Sequence, residues 1–145
     1  MLQRIAGLVA AVTVALAAPA LGQATRAAQG PKEPVSDGRT LSQWVAELKA
    51  AAPETRNAAV YEIASLGPAA APAVPALIAA LDDPAPSVRF PATVALREIG
   101  PAAKAAVPRL KQMIEEEIND EVAAGARRAL RAIDPSAVPP ESDDD

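Results

Sequence analysis

The sequence contains no cysteine and no histidine, and only three of its 145 residues, Trp44, Tyr61 and Phe90, are aromatic. The chain therefore forms no disulfide and offers no thiolate nucleophile, no Ser–His or Cys–His catalytic pair, and no zinc site built on cysteine or histidine. The formal net charge of −4 argues against nucleic-acid binding driven by overall basicity. We expect no cofactor, no metal ion and no nucleic-acid partner.

The carboxylates are also poorly arranged for catalysis. No two of them share an apolar helix face at a spacing suited to paired acid–base chemistry. The run Glu115, Glu116 and Glu117 indicates a solvated helix face rather than a metal site. Gly67 and Gly100 stand singly, so the sequence has no glycine-rich loop for a phosphate. These observations predict that the protein is not an enzyme.

The first 22 residues have the three parts of a secretory signal peptide. Arg4 supplies a positive charge, residues 5–18 are apolar, and the tripeptide from Ala20 to Gly22 fits a cleavage site. The apolar run has 14 residues, fewer than the ~20 needed to cross a bilayer. We predict cleavage after Gly22 and export to the periplasm or exterior of a bacterium, with no membrane contact afterwards. An uncleaved segment that anchors the protein is the alternative.

Two segments around the central part of the sequence lack any periodicity. Residues 23–37 mix alanine, glutamine, proline, glycine and charged residues, which predicts a flexible linker. Residues 135–145 hold three prolines and end in Glu-Ser-Asp-Asp-Asp, which predicts a disordered acidic tail.

The central part, residues 38–134, repeats with a step of 33 residues, which indicates stacked structural units. Gly67-Pro68 recurs as Gly100-Pro101, and six apolar positions align in the three units; in the last unit the second half has gained one residue. The first-half sets are Leu41, Trp44 and Leu48, then Val74, Leu77 and Leu81, then Val107, Leu110 and Ile114. The second-half sets are Ala59, Ile63 and Leu66, then Ala92, Leu96 and Ile99, then Ala126, Leu130 and Ile133.

Within each unit the apolar residues recur at intervals of three and four, which is typical of helices. Prolines stand where helices would begin, and Gly67 and Gly100 stand where helices would end in a left-handed residue. Each unit therefore predicts a helical hairpin, with the units at about 38–67, 68–100 and 101–134. We place the first helices near 40–50, 74–82 and 106–118, and the second helices near 54–66, 86–99 and 120–133.

Such short helices are marginal alone, so stacking must stabilise them. Alanine at Ala59, Ala92 and Ala126 would let the second helices approach closely. The sequence therefore predicts an all-α fold, a short α-solenoid of three helical hairpins, and gives the abundance of alanine a packing explanation.

The pattern resembles HEAT repeats, in particular short bacterial HEAT-like repeats related to those of phycobilin lyases. The resemblance is carried by the run from Asp82 to Arg89, by the alanines and Ile99-Gly100-Pro101 that follow, and by Val107-Pro108. The stretch from Gly38 to Leu48 is similar to the unit that precedes such repeats in secreted bacterial proteins. The resemblance implies a right-handed superhelical stack and a scaffold role.

The family pattern pairs an aspartate in the turn between the two helices with an arginine early in the second helix. Asp83 and Arg89 match this pattern in the middle unit. The first unit has Arg56 but alanines in place of the aspartate, and the third has Asp120 but Ala123 in place of the arginine. We therefore expect the inter-helix charge pair in the middle unit only.

Pro91 departs from the family pattern, because it falls inside the second helix of the middle unit. It lacks the N–H that would bond to the Ser87 carbonyl. We expect it to kink this helix or to delay its start.

The best candidate for a binding site is a surface that we call the concave ridge. It is formed by second-helix positions that point away from the core, since second helices line the concave face of HEAT-type stacks. Two of the three aromatic residues fall on this ridge, with arginines at its C-terminal end, and both residue types are common interface anchors. The ridge comprises Asn57, Tyr61, Ala64, Phe90, Val94, Arg97, Ala124, Arg128 and Arg131. The candidate protein-binding residues among them are Tyr61, Phe90, Val94, Arg97, Arg128 and Arg131.

A competing interpretation is that Tyr61 and Phe90 only pack between neighbouring hairpins. If the ridge does bind, the protein is a non-catalytic adaptor, monomeric when free, that holds a protein partner. The lyase resemblance leaves an alternative open, namely an accessory lyase or chaperone-like subunit that holds a chromophore or a substrate protein.

Overall fold

The computed structural model describes residues 32–139, and six α-helices make up most of this range. From Glu33 onward these residues pack as one unit. The helices are α1 (Leu41–Glu47), α2 (Pro53–Ser65), α3 (Val74–Ala80), α4 (Pro86–Ile99), α5 (Val107–Glu116) and α6 (Asp120–Ile133). Short 3-10 segments span Gly67–Ala73, Gly100–Ala106 and Pro135–Ala137. The signal-peptide prediction, most of the linker and the acidic end of the tail lie outside the described residues.

The helices form three hairpins stacked in a short all-α solenoid, which confirms the predicted fold class. Helices α1 and α2 pair in the first hairpin, α3 and α4 in the second, and α5 and α6 in the third. The most extensive contacts between helices are those of α2 with α4 and of α4 with α6. The second helices therefore form a continuous layer, which is the layer that carries the concave ridge.

The repeated apolar positions form one core. Most of them are buried, and Leu48, Leu66, Val107 and Ile114 are partly buried against the others. Each buried leucine, isoleucine or valine contributes roughly 1.5–3 kcal/mol relative to an exposed one. Ala59, Ala92 and Ala126 have no exposed surface.

Two glycines end helices as the sequence predicts. Gly67 follows α2 with φ of 54°, and Gly100 follows α4 with φ of 73°. Side chains disfavour this left-handed backbone, which is why glycine marks the end of the second helix in the first two units.

An N-terminal hairpin covers the first unit. Strand β1 (Val35–Ser36) pairs with β2 (Arg39–Thr40) in antiparallel fashion. The buried indole of Trp44 donates from Nε1 to the Ser36 carbonyl at 2.9 Å, and the Arg39 guanidinium lies 4.8 Å from the centre of the Trp44 ring. Trp44 thus attaches the hairpin to α1, together with the ion pair between Arg39 of β2 and Glu47 of α1 at 3.2 Å.

The boundaries predicted for the N-terminal linker (residues 23–37) and the C-terminal tail (residues 135–145) are wrong. Residues 33–37 belong to the fold rather than to a flexible linker, because Ser36 Oγ donates to Glu62 on α2 at 2.6 Å and the Pro34 carbonyl accepts from the Leu41 amide at 2.9 Å. At the other end, Ala137 packs against the core and lies in a 3-10 segment that contacts α6. The ordered domain is longer at both ends than the period indicates.

Two arginines connect consecutive units, in an arrangement that we call the arginine ladder. Arg56 of the first unit binds both carboxylate oxygens of Asp83 in the second, at 2.6 and 2.9 Å. Arg89 of the second unit binds both carboxylate oxygens of Glu117 in the third, at 2.8 and 2.9 Å. The remaining guanidinium nitrogen, Nη1, donates in each case to two backbone carbonyls in the turn of its own unit. Each arginine therefore fixes its own turn and the next unit together.

The prediction of an ion pair between Asp83 and Arg89 is wrong. Arg89 contacts only the backbone carbonyl of Asp83, at 2.9 Å, while the Asp83 carboxylate binds Arg56 of the preceding unit. The acid of the third unit is Glu117 rather than Asp120. A bidentate guanidinium has two usable edges, and here one edge faces its own turn and the other faces the next unit.

Helix α4 does not start late, contrary to one expectation for Pro91. It begins at Pro86 and continues through Pro91 to Ile99. The Asn57 side chain on α2 donates from Nδ2 to the Ser87 carbonyl, the group that loses its helical donor to the proline. A neighbouring helix therefore supplies the missing hydrogen bond.

Helices α4 and α6 approach closely at Gly125, a position that the sequence pattern does not single out. A Cβ atom there would overlap Thr93 Oγ1 and lie 3.2 Å from Phe90 Cδ2. Thr93 is fully buried, and its Oγ1 donates to the Phe90 carbonyl at 2.7 Å. The absence of a side chain at Gly125 thus sets the spacing of the two helices.

We expect Gly125→Ala to lower the free energy of unfolding by about 1–3 kcal/mol, because the new methyl group overpacks this contact. Urea denaturation followed by circular dichroism measures the change. At a helix position with free space the same substitution stabilises by about 1 kcal/mol, so a more stable variant would contradict the close contact. The exposed Ala132 of α6 provides a matched control, since Ala132→Gly reports helix propensity alone.

Acidification should weaken the stack through the arginine ladder. Hydrogen bonds from Arg56 hold the pKa of Asp83 below its ordinary value, and hydrogen bonds from Arg89 do the same to the pKa of Glu117. A carboxyl with a lowered pKa in the folded chain stabilises folding above its ordinary pKa, and this contribution is lost as the pH falls below roughly 4. We expect the urea midpoint to fall between about pH 5 and pH 2.

The variant Arg56→Ala should be less stable than wild type at pH 7 and should lose less stability on acidification. Lys49→Ala is the control, because it removes an exposed positive charge outside the arginine ladder. If the Arg56→Ala profile runs parallel to that of wild type, the ladder does not carry the pH dependence.

Candidate protein-binding surface

A groove on the layer of second helices brings together two of the six candidate residues, Tyr61 of α2 and Phe90 of α4. Its volume is about 240 Å³, and all three units contribute to its lining. The lining residues are Asn57, Tyr61, Pro86, Ser87, Phe90, Pro91, Asn119, Glu121 and Val122. We call this feature the aromatic groove.

The two aromatic residues have different environments in the aromatic groove. Tyr61 is 49% exposed. Phe90 is partly buried against the core, and two of its ring carbons lie close to the position that a side chain at Gly125 would occupy. The interpretation that the aromatics pack between hairpins therefore applies to Phe90 in part, whereas Tyr61 presents about half of its surface to solvent.

The two asparagine side chains of the aromatic groove are held by hydrogen bonds within the stack. Asn57 Nδ2 is engaged by the Ser87 carbonyl. Asn119 caps α6, with its Oδ1 accepting from the backbone amides of Glu121 and Val122 at 3.1 Å each. These bonds fix both asparagine side chains, so the groove has a defined shape before any ligand binds.

Asn119 and Glu121 were missed as lining residues by the sequence analysis. Asn119 precedes a helix and is a typical capping residue, so its role in starting α6 is readable from the sequence. Its position in the groove is not, because it depends on how the third unit sits against the second.

The other four candidate residues lie outside the aromatic groove, toward the C-terminal ends of α4 and α6. Val94 is partly buried, and Arg97 pairs with its neighbour Glu98 at 2.6 Å. Arg128 and Arg131 are exposed on the last two turns of α6. The concave ridge thus has an aromatic part near the start of the second helices and a basic part near their ends.

A second cleft, of about 350 Å³, lies at the turns of the second and third units. Both of its arginines form ion pairs across the stack, since Arg89 binds Glu117 and Arg109 binds Asp82 at 2.5 Å. Among the described residues, Arg109 Nη1 is buried without a hydrogen-bond partner.

Neither a metal site nor a membrane span emerges from residues 32–139. No group of three or more acidic residues is placed so that it could hold a metal ion within that range. None of the helices described there has the length and apolar character needed to cross a bilayer.

Comparison with known proteins places this architecture in a family. A sequence model of HEAT repeats matches residues 41–131, which is well over half of the chain. No curated protein matches the chain. HEAT repeats in general mediate protein–protein interactions, and the family is in general non-catalytic. With three stacked hairpins and this match spanning all of them, the chain belongs to the HEAT repeat family.

Proposed function

We propose that the protein is a non-catalytic adaptor that binds a protein partner along the concave ridge, with Tyr61 as the main anchor. The observation that supports this most is the half-exposed ring of Tyr61 beside a groove lined by all three units. Tyrosine is enriched among residues that dominate interface energies, because its ring buries a large apolar area while its hydroxyl keeps a polar partner.

The environment of Tyr61 distinguishes it from other exposed apolar side chains. Among the described residues, Val35 and Ile118 are also large, apolar and exposed. Val35 lies in the N-terminal hairpin and Ile118 in the turn before α6, and isolated exposed apolar residues need no explanation. Tyr61 alone of the three lines the aromatic groove, whose two asparagine side chains are fixed in advance by hydrogen bonds.

The basic part of the concave ridge would contribute mainly to the orientation and rate of binding. Charges at the rim of an interface steer association and suppress wrong partners more than they add affinity. Arg128 is exposed, so a partner with acidic residues next to an apolar segment would match both parts of the ridge.

We also propose that the protein acts after export to the periplasm or exterior of a bacterial cell. The support for export is the charge, apolar run and cleavage tripeptide in the first 22 residues. Export would bring the adaptor into contact with partners in the cell envelope.

Export makes a prediction about mass. When the full chain is expressed in a bacterium, the intact mass of the protein in the periplasmic or secreted fraction should correspond to a chain that begins near Gln23. A matched variant, Gly22→Leu, places a bulky residue at the cleavage site and should retain the longer mass. A wild-type protein whose mass includes Met1 would contradict cleavage.

Binding is tested by capture of partners from a cell-envelope extract with the tagged protein. Tyr61→Ala combined with Arg128→Glu should reduce the amount of captured partner by about tenfold or more, because it removes the anchor and reverses the rim charge. Glu115→Ala on α5 is the control, since this exposed residue lies outside the concave ridge. Helical content by circular dichroism should be unchanged in both variants. Capture at the wild-type level by the double variant would refute the ridge as the binding surface.

A further inference from the structure

The volume of the aromatic groove limits the kind of ligand that it can hold. At about 240 Å³ the groove is smaller than the roughly 300–1,000 Å³ of pockets that enclose a small molecule. All three units contribute to its lining, so the groove crosses the layer of second helices. It therefore suits a few side chains of a polypeptide that lies across the layer, rather than a whole small molecule.

Aromatic and proline rings form the apolar part of the groove. Tyr61 on α2 is half exposed, Phe90 on α4 is partly buried, and Pro86 in the first turn of α4 is exposed. Pro86 and Pro91 have no N–H group. The groove thus presents ring surfaces to a ligand and, at both prolines, no backbone donor.

Two side-chain donors in the groove are available to a ligand. Asn119 Oδ1 accepts from two amides of α6, which leaves its Nδ2 for another partner. Within residues 32–139, neither this nitrogen nor the Tyr61 hydroxyl donates to another group. A ligand that brings carbonyl oxygens can therefore accept from both.

An extended segment in the polyproline II conformation has the complementary chemistry. Its backbone forms no internal hydrogen bonds, so its carbonyls are free to accept. Each of its prolines lacks the N–H that would otherwise need an acceptor in the groove. Grooves lined by aromatic rings are the surfaces on which such segments bind, and the segment is largely preformed, so binding orders little of it.

The charge of the groove indicates a second feature of the ligand. Glu121 is the one charged residue among the described residues that line the groove. It is exposed in the first turn of α6, and none of the salt bridges in the described part of the chain involves it. An arginine or lysine of the ligand would form a charge-assisted hydrogen bond there.

The stacking of the helices sets the distance between these two features. Helix α4 lies between α2, which carries Tyr61, and α6, which carries Glu121. Packed helices are 8–10 Å apart, so α2 and α6 are separated by roughly 16–20 Å. A polyproline II segment rises about 3.1 Å per residue and needs about five or six residues to cross that distance.

We propose that the aromatic groove binds an extended, proline-rich segment of the partner, with prolines against Tyr61 and Phe90 and a basic residue at Glu121. This inference rests on the proposed function, because the segment belongs to the protein that the concave ridge binds. Arg128 lies about two turns further along α6 than Glu121, so a contact of the same partner with Arg128 lies beyond the proline-rich segment.

The test uses a synthetic peptide in place of the partner. The peptide is capped at both termini and has six consecutive prolines with an arginine at each end, so that it can bind in either chain direction. Its binding is followed by the backbone amide signals of the ¹⁵N-enriched protein. We expect saturable shifts at Tyr61, Phe90 and Val122, and weaker binding at higher ionic strength because the contact with Glu121 is screened.

Variants of the protein separate the contributions of ring, hydroxyl and charge. Tyr61→Ala should weaken peptide binding by about tenfold or more, and Tyr61→Phe, which keeps the ring, by about two- to tenfold. Glu121→Gln should weaken it by about two- to fivefold and reduce its dependence on salt. Glu115→Gln makes the same change at an exposed position of α5 outside the groove and should leave the affinity unchanged.

Two variants of the peptide test its chemistry. A peptide with alanines in place of the prolines is not preformed in the extended conformation, and a peptide with glutamates in place of the arginines is repelled by Glu121. We expect both to bind more weakly than the original peptide, by about threefold or more. Equal binding of the alanine peptide would assign the groove to a helical segment, and equal binding of the glutamate peptide would show that Glu121 selects no basic residue. Either result would overturn the proposal.

The absence of saturable shifts, or shifts centred away from the aromatic groove, would also overturn the proposal. This failure can be distinguished from that of the adaptor function. If capture of a partner depends on Tyr61 while the proline peptide does not bind, the proline-rich class of partner is refuted and the adaptor function stands. If the peptide binds in the groove with the expected effects of Tyr61→Ala and Glu121→Gln, the preference of the groove is supported whatever the outcome of capture.

Discussion

Close packing of the second helices is the constraint on which the structure depends. The first helices of the first two units have only seven residues each, too few to persist in isolation. The second helices supply the continuous layer. They approach one another over small buried residues, among them Ala92 of α4 and Ala126 of α6. At Gly125 of α6, Phe90 and Thr93 of α4 leave no room for a side chain. Because this layer also presents the concave ridge, the same contacts that stabilise the stack determine where Tyr61 stands.

The arginine ladder fixes the position of each hairpin along the next. An apolar seam alone tolerates sliding of one hairpin along the next, whereas a bidentate guanidinium accepts one position of its carboxylate. Arg56 and Arg89 each bind a turn of their own unit and the acid of the following unit, so every step of the ladder runs from the N-terminal to the C-terminal hairpin. The Asn57 side chain has a similar role at Ser87, where a second-helix residue of one unit completes the helix of the next.

The sequence predicts the elements of this fold well, because hydrophobic period, prolines and glycines act locally. The second helices α4 and α6 have the predicted bounds, and the left-handed glycines stand where expected. The side-chain partners that join two units could not be predicted in this way, because Arg56 and Asp83 are 27 residues apart in the sequence. The residue inserted in the last unit shifts Glu117 away from the 33-residue step, so the period alone does not identify it as the counterpart of Asp83. For the site, the sequence identifies Tyr61 and Phe90, but the groove that unites them with Asn119 depends on the packing of three units.

The ladder also has unequal ends. The first unit has Ala50 where the next has its acid Asp83, and the third has Ala123 where the others have an arginine, so only the middle unit carries both complementary groups. A duplicated middle unit could be inserted as a cassette, joined through the same chemistry on both sides. Head-to-tail association of two molecules would bring the third unit of one against the first unit of the next. The arginine ladder could not continue there, because Ala123 stands in place of the arginine and Ala50 in place of the acid. The alanines at these two positions therefore end the series of ion pairs at both outer units of a repeat fold that could otherwise be extended.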